Sequence, residues 1–114
     1  MAKKRRDLRK ILMRFKDALS GNIRVYSLIL FGSYASGKQK KYSDIDVAVV
    51  SPDFSRSKSI KNLQLLFNIA KKVDVDIEPL AFLPEEIKSP DPRSFESEIL
   101  KNSKIYIRDI RNKR

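Results

Sequence analysis

Two short apolar runs, joined by a loop that ends in acidic residues, limit the folds open to this chain. The runs cover residues 23–31 and 44–50 and are rich in the residue types that favour β-strands. Because side chains alternate along a strand, Asp44 and Asp46 would lie on one face and Ile45 on the other. Two carboxylates this close repel each other unless a cation lies between them or one of them is protonated. The sequence therefore predicts two strands, with a cation site where the second one begins.

The rest of the chain alternates between helical and strand patterns. Apolar residues at helical spacing predict a first helix over residues 4–19 and a second helix from about residue 57 or 59 to 72. The remaining predicted elements are short: a strand at 73–82, a helical turn at 84–86, a helix at 95–100 and a strand at 104–107. This order predicts an α/β (α+β) fold, in which a mixed β-sheet is flanked by helices within one small domain.

The net charge of +11 is concentrated towards the two ends of the chain. Residues 1–17 carry eight Lys or Arg against two Asp, residues 101–114 carry six against one, and residues 18–100 carry eleven of each sign. Such basic ends are typical of a solubilising surface, or of a site for nucleic acid or an acidic partner. We expect a single domain, 1–114, divided into a basic N-terminal helix at 4–19, a core at 23–108 and a basic tail at 109–114.

The composition removes several classes of site. The chain has no Cys and no His, which excludes disulfides, thiolate zinc sites and a histidine general base. A bound metal would have to be held by oxygen atoms, which favours Mg²⁺ or Mn²⁺. No apolar run approaches the roughly 18 residues that a transmembrane helix needs, and the basic N-terminus is not followed by an apolar segment typical of a secretory signal. We therefore expect a cytoplasmic protein without membrane contact.

A third set of acids lies on the predicted strand at 73–82. Asp74, Asp76 and Glu78 alternate with apolar residues, so that all three carboxylates would share one face of that strand. If the strand lies beside residues 44–50, one of these acids completes a trio with the two aspartates. Three carboxylates can hold two divalent cations about 3.5–4 Å apart around a phosphoryl group. The third could also accept a proton from an attacking hydroxyl. A charged edge strand that discourages aggregation is the alternative.

The other half of the candidate site is the turn at Gly32 and Ser33. Gly32 permits close approach of the backbone, and the amides and the Ser33 hydroxyl could bind phosphate oxygens. Ser43 could orient a carboxylate or bind phosphate, or could only begin the strand. Lys38 could neutralise a triphosphate or be a solvated loop charge. Alone, a Gly-Ser pair is common in turns. Its position before the two aspartates makes a site for a nucleotide with a divalent metal the economical explanation.

These residues resemble the DNA polymerase beta-like nucleotidyltransferase superfamily. Its hallmark is Gly-Ser, a spacer of about ten residues and Asp-x-Asp on the next strand, here Gly32-Ser33 and Asp44-Ile45-Asp46. The similarity extends over residues 23–100 and is strongest to the minimal nucleotidyltransferases. The resemblance implies a nucleotidyltransferase fold. It also implies transfer of a nucleoside monophosphate, AMP from ATP being the expected case, to an acceptor hydroxyl.

The family pattern also implies roles for individual residues. Asp44 and Asp46 would bind Mg²⁺ or Mn²⁺ together with a third acid. Small members have Ile-Glu-Pro at the matching point, which favours Glu78 over Asp76 and places Asp74 last.

Minimal nucleotidyltransferases are often paired with a helical HEPN protein, in some cases as toxin–antitoxin systems in which the nucleotidyltransferase adenylylates the partner. A HEPN-type partner is therefore expected here, and a homodimer could supply the missing acceptor surface instead. Two other functions stay open at this point. One is a nucleotide- or partner-binding subunit with little turnover, and the other is a small nucleic-acid-binding protein that uses its basic ends.

Overall fold

The computed structural model describes residues 5–38, 44–88, 91–94, 97, 101 and 104–108. Their helices and strands alternate in the predicted order: α1 (Arg5–Ser20), β1 (Ser27–Phe31), α2 (Gly32–Ser36), β2 (Ile45–Val50), α3 (Ser59–Val73), β3 (Ile77–Phe82), α4 (Pro84–Lys88) and β4 (Lys104–Arg108). A 3-10 turn at Arg56–Lys58 leads into α3. The helix predicted for residues 95–100 lies outside the described residues except for Ser97.

The strands form one mixed sheet in the order β3-β2-β1-β4. β1 is antiparallel to both β2 and β4, whereas β2 and β3 run parallel. A parallel pair needs a crossover connection, and α3 provides it. The end of β1 and the starts of β2 and β3 therefore meet at the same end of the sheet. The mixed sheet with flanking helices confirms the fold class predicted from the sequence.

The two faces of the sheet have different surroundings. One face packs against α1 and α3 through side chains that are at most 1% exposed: Leu12, Phe15, Leu28, Leu30, Val47 and Leu66. The apolar stripe of α1 thus explains why this helix forms, since it covers the sheet. The other face carries a smaller cluster of Ile29, Ala48, Val50 and Phe82. Period-two alternation places Asp46 and Glu78 on this second face.

The predicted third strand is wrong in its first four residues. α3 continues to Val73, and β3 begins only at Ile77. Asp74 causes the difference: its side-chain Oδ1 accepts a hydrogen bond from the amide of Asp76 (2.9 Å), and its carbonyl accepts one from Ile77 (3.2 Å). Such Asx turns compete with strand pairing. Asp74, Asp76 and Glu78 therefore do not alternate along one strand.

β1 also starts later than predicted, at Ser27 instead of residue 23. The amides of Asn22 and Ile23 both donate to the carbonyl of Leu19, at 2.8 and 2.9 Å, and so close the end of α1. The described residues contain no helix that is both long and apolar enough to span a membrane. The cytoplasmic location and the domain limits inferred from the sequence stay predictions.

One ion pair ties the start of β1 to the segment after β2. The guanidinium of Arg24 donates to both carboxylate oxygens of Asp53, the shortest contact being 2.7 Å, and the Arg24 amide donates to Oδ2 at 2.7 Å. These side-chain and backbone hydrogen bonds lower the pKa of the Asp53 carboxyl. A depressed carboxyl pKa stabilises the fold above the pKa of the unfolded state, and this stabilisation is lost as the pH falls through the folded-state pKa.

We therefore expect Asp53→Asn to lower the urea midpoint modestly near neutral pH. The difference from the wild type should shrink and vanish as the pH is taken well below about 3.9, the ordinary aspartate value. Urea titrations across that range, with Asp17→Asn on the exposed surface of α1 as control, measure the effect. An equal loss at every pH would show that the charge of Asp53 is not the stabilising feature.

Candidate active site

Three carboxylates meet where β2 and β3 begin. Asp46 lies opposite Phe31 of β1 on one side and in register with Glu78 of β3 on the other. Asp44 is exposed and directly precedes β2. The amide of Ile45 donates to the carbonyl of Asp76 at 2.8 Å, which fixes this register.

The three acids line one cavity of about 470 Å³. Its other lining residues are mainly apolar: Phe31, Leu63, Phe67, Pro79 and Leu80. A second cavity of about 400 Å³ follows β3 towards its end and shares Leu63 and Leu80 with the first. Charged groups with a mainly apolar wall are typical of a site that binds a polar ligand in a defined orientation.

The electrostatics of the cavity favour a cation. Burial raises the pKa of the Asp46 carboxyl, and the negative charges of Asp44 and Glu78 raise it further. Ionised Asp46 is thus destabilised by its surroundings in the absence of a positive ligand. A divalent cation would relieve that repulsion, as the sequence predicted for the aspartate pair.

Gly32 is the point at which the Gly32–Ser33 turn touches the acids. Its φ angle is +71°, a left-handed conformation that favours glycine. A Cβ atom at this position would collide with Oδ2 of Asp46 and would lie only 3.1 Å from its Cγ. The Gly-Ser turn and the aspartate are therefore in direct steric contact, and only glycine leaves room for the carboxylate.

The turn continues into the single helical turn of α2. Tyr34 and Ala35 are buried in the core and hold α2 in place. The carbonyl of Ser33 accepts hydrogen bonds from the amides of Gly37 and Lys38 and from the Ser36 hydroxyl, at 2.9 Å for Lys38 and 3.2 Å for Ser36. Ser33 thus starts a closed turn beside the acids, and Lys38 is exposed just beyond it.

The structure does not bring every predicted residue to the cavity. Asp76 lies in the turn before β3 and is not among the lining residues. Gly32, Ser33 and Lys38 do not line the cavity either, although Gly32 is in steric contact with Asp46. Ser43 lies outside the described residues. The grouping of Asp44, Asp46 and Glu78 is therefore the part of the predicted set that the sheet assembles.

Sequence reasoning missed Lys71 on α3. Its Nζ lies 3.4 Å from Oε1 of Glu78. The same Nζ lies 5.4 Å from the centroid of the Phe67 ring. The contact joins a helix to the neighbouring strand across a turn that the sequence did not predict, so no spacing in the sequence indicates it.

The donor set fits a hard divalent cation. Carboxylate oxygen is the ligand type that Mg²⁺ and Mn²⁺ prefer, and the chain has no His or Cys to select a softer metal. Within the described ranges, no three acidic side chains stand close enough to hold one ion as they are placed. Metal binding would therefore require the carboxylates around the cavity to draw together.

Comparison with known proteins agrees with this geometry. The model of the nucleotidyltransferase domain family matches residues 8–107. A candidate protein adenylyltransferase of Methanocaldococcus jannaschii is 38% identical over 73 residues, which are 60% of this chain and 83% of that protein.

Two solved structures share the fold. One is a toxin–antitoxin complex with AMP-PNP, with a TM-score of 0.57 and 22% identity over 90% of this chain and 75% of that one. The other is a candidate nucleotidyltransferase from Sulfolobus solfataricus, with a TM-score of 0.56 and 14% identity over 95% of this chain and 92% of that one.

Proposed function

The chain belongs to the nucleotidyltransferase domain family, which confirms the resemblance to the minimal nucleotidyltransferases, and we propose that it transfers AMP from ATP to a hydroxyl group of a partner protein. One observation carries the proposal: Asp44, Asp46 and Glu78 line a single cavity, and the Gly32 turn is in steric contact with Asp46. The 38% identical relative, named as a candidate protein adenylyltransferase, supports the choice of AMP and of a protein acceptor.

Each residue has a role in this reaction. Asp44, Asp46 and Glu78 would hold Mg²⁺ or Mn²⁺, which when bound supplies charge stabilisation for the phosphates and acidifies the acceptor hydroxyl. The backbone at Gly32 and the Ser33 hydroxyl bind phosphate oxygens, while Lys38 and Ser43 add charge and a further hydroxyl.

The transfer itself is an in-line substitution. The acceptor oxygen attacks the α-phosphorus of ATP, forms a phosphate ester and displaces pyrophosphate, while Glu78 accepts the proton of the acceptor hydroxyl. Because β1, β2 and β3 lie side by side, the phosphates bind at the β1 end of this row and the acceptor approaches from β3. Both cavities flank β3, which supports this direction.

A helical HEPN-type protein is the acceptor that we propose. The solved toxin–antitoxin complex with AMP-PNP shares the fold of this chain, and the sequence resemblance points to the same kind of partner. The homodimer stays a prediction. So does nucleic-acid binding by the basic ends, of which residues 1–4, 102–103 and 109–114 lie outside the described residues.

Labelled ATP tests the proposal directly. With Mg²⁺ and a HEPN-type protein as the acceptor, label from the α-phosphate of ATP should become attached to the HEPN protein, and label from the γ-phosphate should not. Glu78→Gln should lose most of the transfer, whereas Asp76→Asn should keep it. Nucleotide binding by calorimetry without any transfer of label would favour a binding subunit instead, and transfer of γ-label would show a kinase.

A further inference from the structure

The ammonium group of Lys71 spans the turn that precedes the third acid. Its Nζ donates to the carbonyl of Val75 at 2.8 Å and to the carbonyl of Ile77 at 2.6 Å, and lies 3.4 Å from Oε1 of Glu78. A lysine ammonium has three hydrogens, so these three contacts occupy all of them. The Lys71 side chain of α3 thus binds the backbone on both sides of Asp76 and also contacts the carboxylate of Glu78.

The hydrogen bonds from Lys71 reach the start of β3, where few other hydrogen bonds hold the strand. β3 is an edge strand that pairs with β2 alone among the described strands. Its Pro79 has no amide to donate, and the preceding residues form a turn instead of a strand. The start of β3 is held by the amide of Ile45 on the inner side and by Lys71 on the outer side.

We propose that Lys71 is a positioning residue that sets the place of Glu78 relative to Asp46. The inference rests on the proposed function, because it gives Glu78 the part of the third acid. Lys71 is not among the residues that line the cavity, and it acts through the backbone of residues 75–77. The carboxylate contact is the longest of its three, so that Glu78 can turn to a cation while the ammonium stays on the two carbonyls.

An ordinary surface ion pair does not explain these contacts. Both side chains of the pair are more than a third exposed, and such pairs contribute little to stability. The two short bonds to carbonyls instead tie the backbone of the strand to α3. Phe67, one turn earlier on α3, lies under the ammonium and also lines the cavity. The bonds from Lys71 to the Val75 and Ile77 carbonyls, here called the Lys71 anchor, therefore lie next to the wall of the cavity.

Replacing Lys71 with Met tests the anchor, since Met keeps the apolar stem and removes the ammonium. We expect kcat for nucleotidyl transfer to fall about tenfold, because small displacements of a catalytic group are costly, while KM for ATP changes less than about twofold. Lys71→Arg keeps the charge and should restore part of kcat. In the Glu78→Gln background the loss from Lys71→Met should be less than about twofold, since Lys71 acts through Glu78.

A second measurement is independent of activity. Hydrogen exchange followed by mass spectrometry should show faster exchange of the amides of residues 75–80 in Lys71→Met. The matched control is Lys72→Met, because Lys72 is the next residue on α3, is exposed and forms no ion pair within the described part of the chain. It should change neither exchange nor kcat.

The outcomes separate the two proposals. Unchanged exchange in Lys71→Met overturns the anchor, and so does a full tenfold loss that persists in the Glu78→Gln background. Faster exchange with an unchanged kcat would show a purely structural role. Full transfer activity in Asp46→Asn would overturn the proposed function instead, while the exchange data would still decide whether Lys71 holds the strand.

Discussion

Replacing Asp46 with Asn is expected to abolish nucleotidyl transfer and, at the same time, to make the metal-free protein more stable. Asp46 lies between the Gly32 turn and Glu78, so its carboxylate is central to the proposed metal site. We expect transfer to fall by at least about 10³-fold, the upper range for removing one preorganised electrostatic contact. Transfer of α-labelled AMP to the partner measures this loss.

The gain in stability follows from the sign of the pKa shift. Burial and the charges of Asp44 and Glu78 raise the pKa of Asp46 in the folded protein. Its contribution to stability is therefore fully present below the unfolded-state pKa, about 3.9, and is lost as the pH rises through the folded-state pKa. Near neutral pH the ionised carboxylate destabilises the fold. Asn has nearly the same shape without the charge, so Tm should rise at neutral pH and the advantage should disappear in acid.

Divalent cations should reverse the order of Tm between Asp46→Asn and the wild type. A ligand that binds only the folded state raises Tm by mass action, so Mg²⁺ or Mn²⁺ should stabilise the wild type and have little effect on Asp46→Asn. Asp17→Asn, on the exposed surface of α1, serves as the control and should respond to metal like the wild type. A lower Tm in Asp46→Asn at neutral pH would contradict the electrostatic argument, and an unaltered metal response would remove Asp46 from the metal site.

The elements of the fold that local patterns determine could be predicted from the sequence. The spacing of Leu8, Ile11, Leu12, Phe15 and Leu19 is a property of one segment, and it gave α1 to within one residue at its end. The alternation of Ile45 and Asp46 likewise follows from a single strand, although β2 begins at Ile45 and not at Asp44 as predicted. Short-range periodicity is enough for such features.

Features that depend on competition between elements could not be predicted in this way. Alternation of Val and Asp at residues 73–76 is typical of a strand, but α3 extends through Val73 and the side chain of Asp74 caps a turn. The Lys71 contact exists only because that turn brings two carbonyls beneath α3. The sequence pattern did not determine which acid of residues 74–78 reaches the cavity. The register of β2 with β3 pairs Asp46 with Glu78, so that Glu78 lines the cavity.

Gly32→Ala should disable the site without altering any charged or polar side chain. Alanine at a positive φ costs about 1–2 kcal/mol, and its methyl group would also displace the carboxylate of Asp46. Because a displacement of about 1 Å can cost 10²-fold in rate, we expect a loss of transfer of that order. Steady-state kinetics with ATP, together with a urea titration, separate the loss of activity from the loss of stability.

Gly37 provides the matched control for this change. Its φ angle is +77°, close to that of Gly32, but a Cβ atom there would meet nothing within 4 Å. Gly37→Ala should therefore share the conformational penalty of Gly32→Ala, lower the urea midpoint by a similar amount and leave transfer nearly intact. Equal losses of transfer in both variants would assign the effect to backbone strain in α2. A selective loss of transfer in Gly32→Ala would assign it to the space that the Asp46 carboxylate needs.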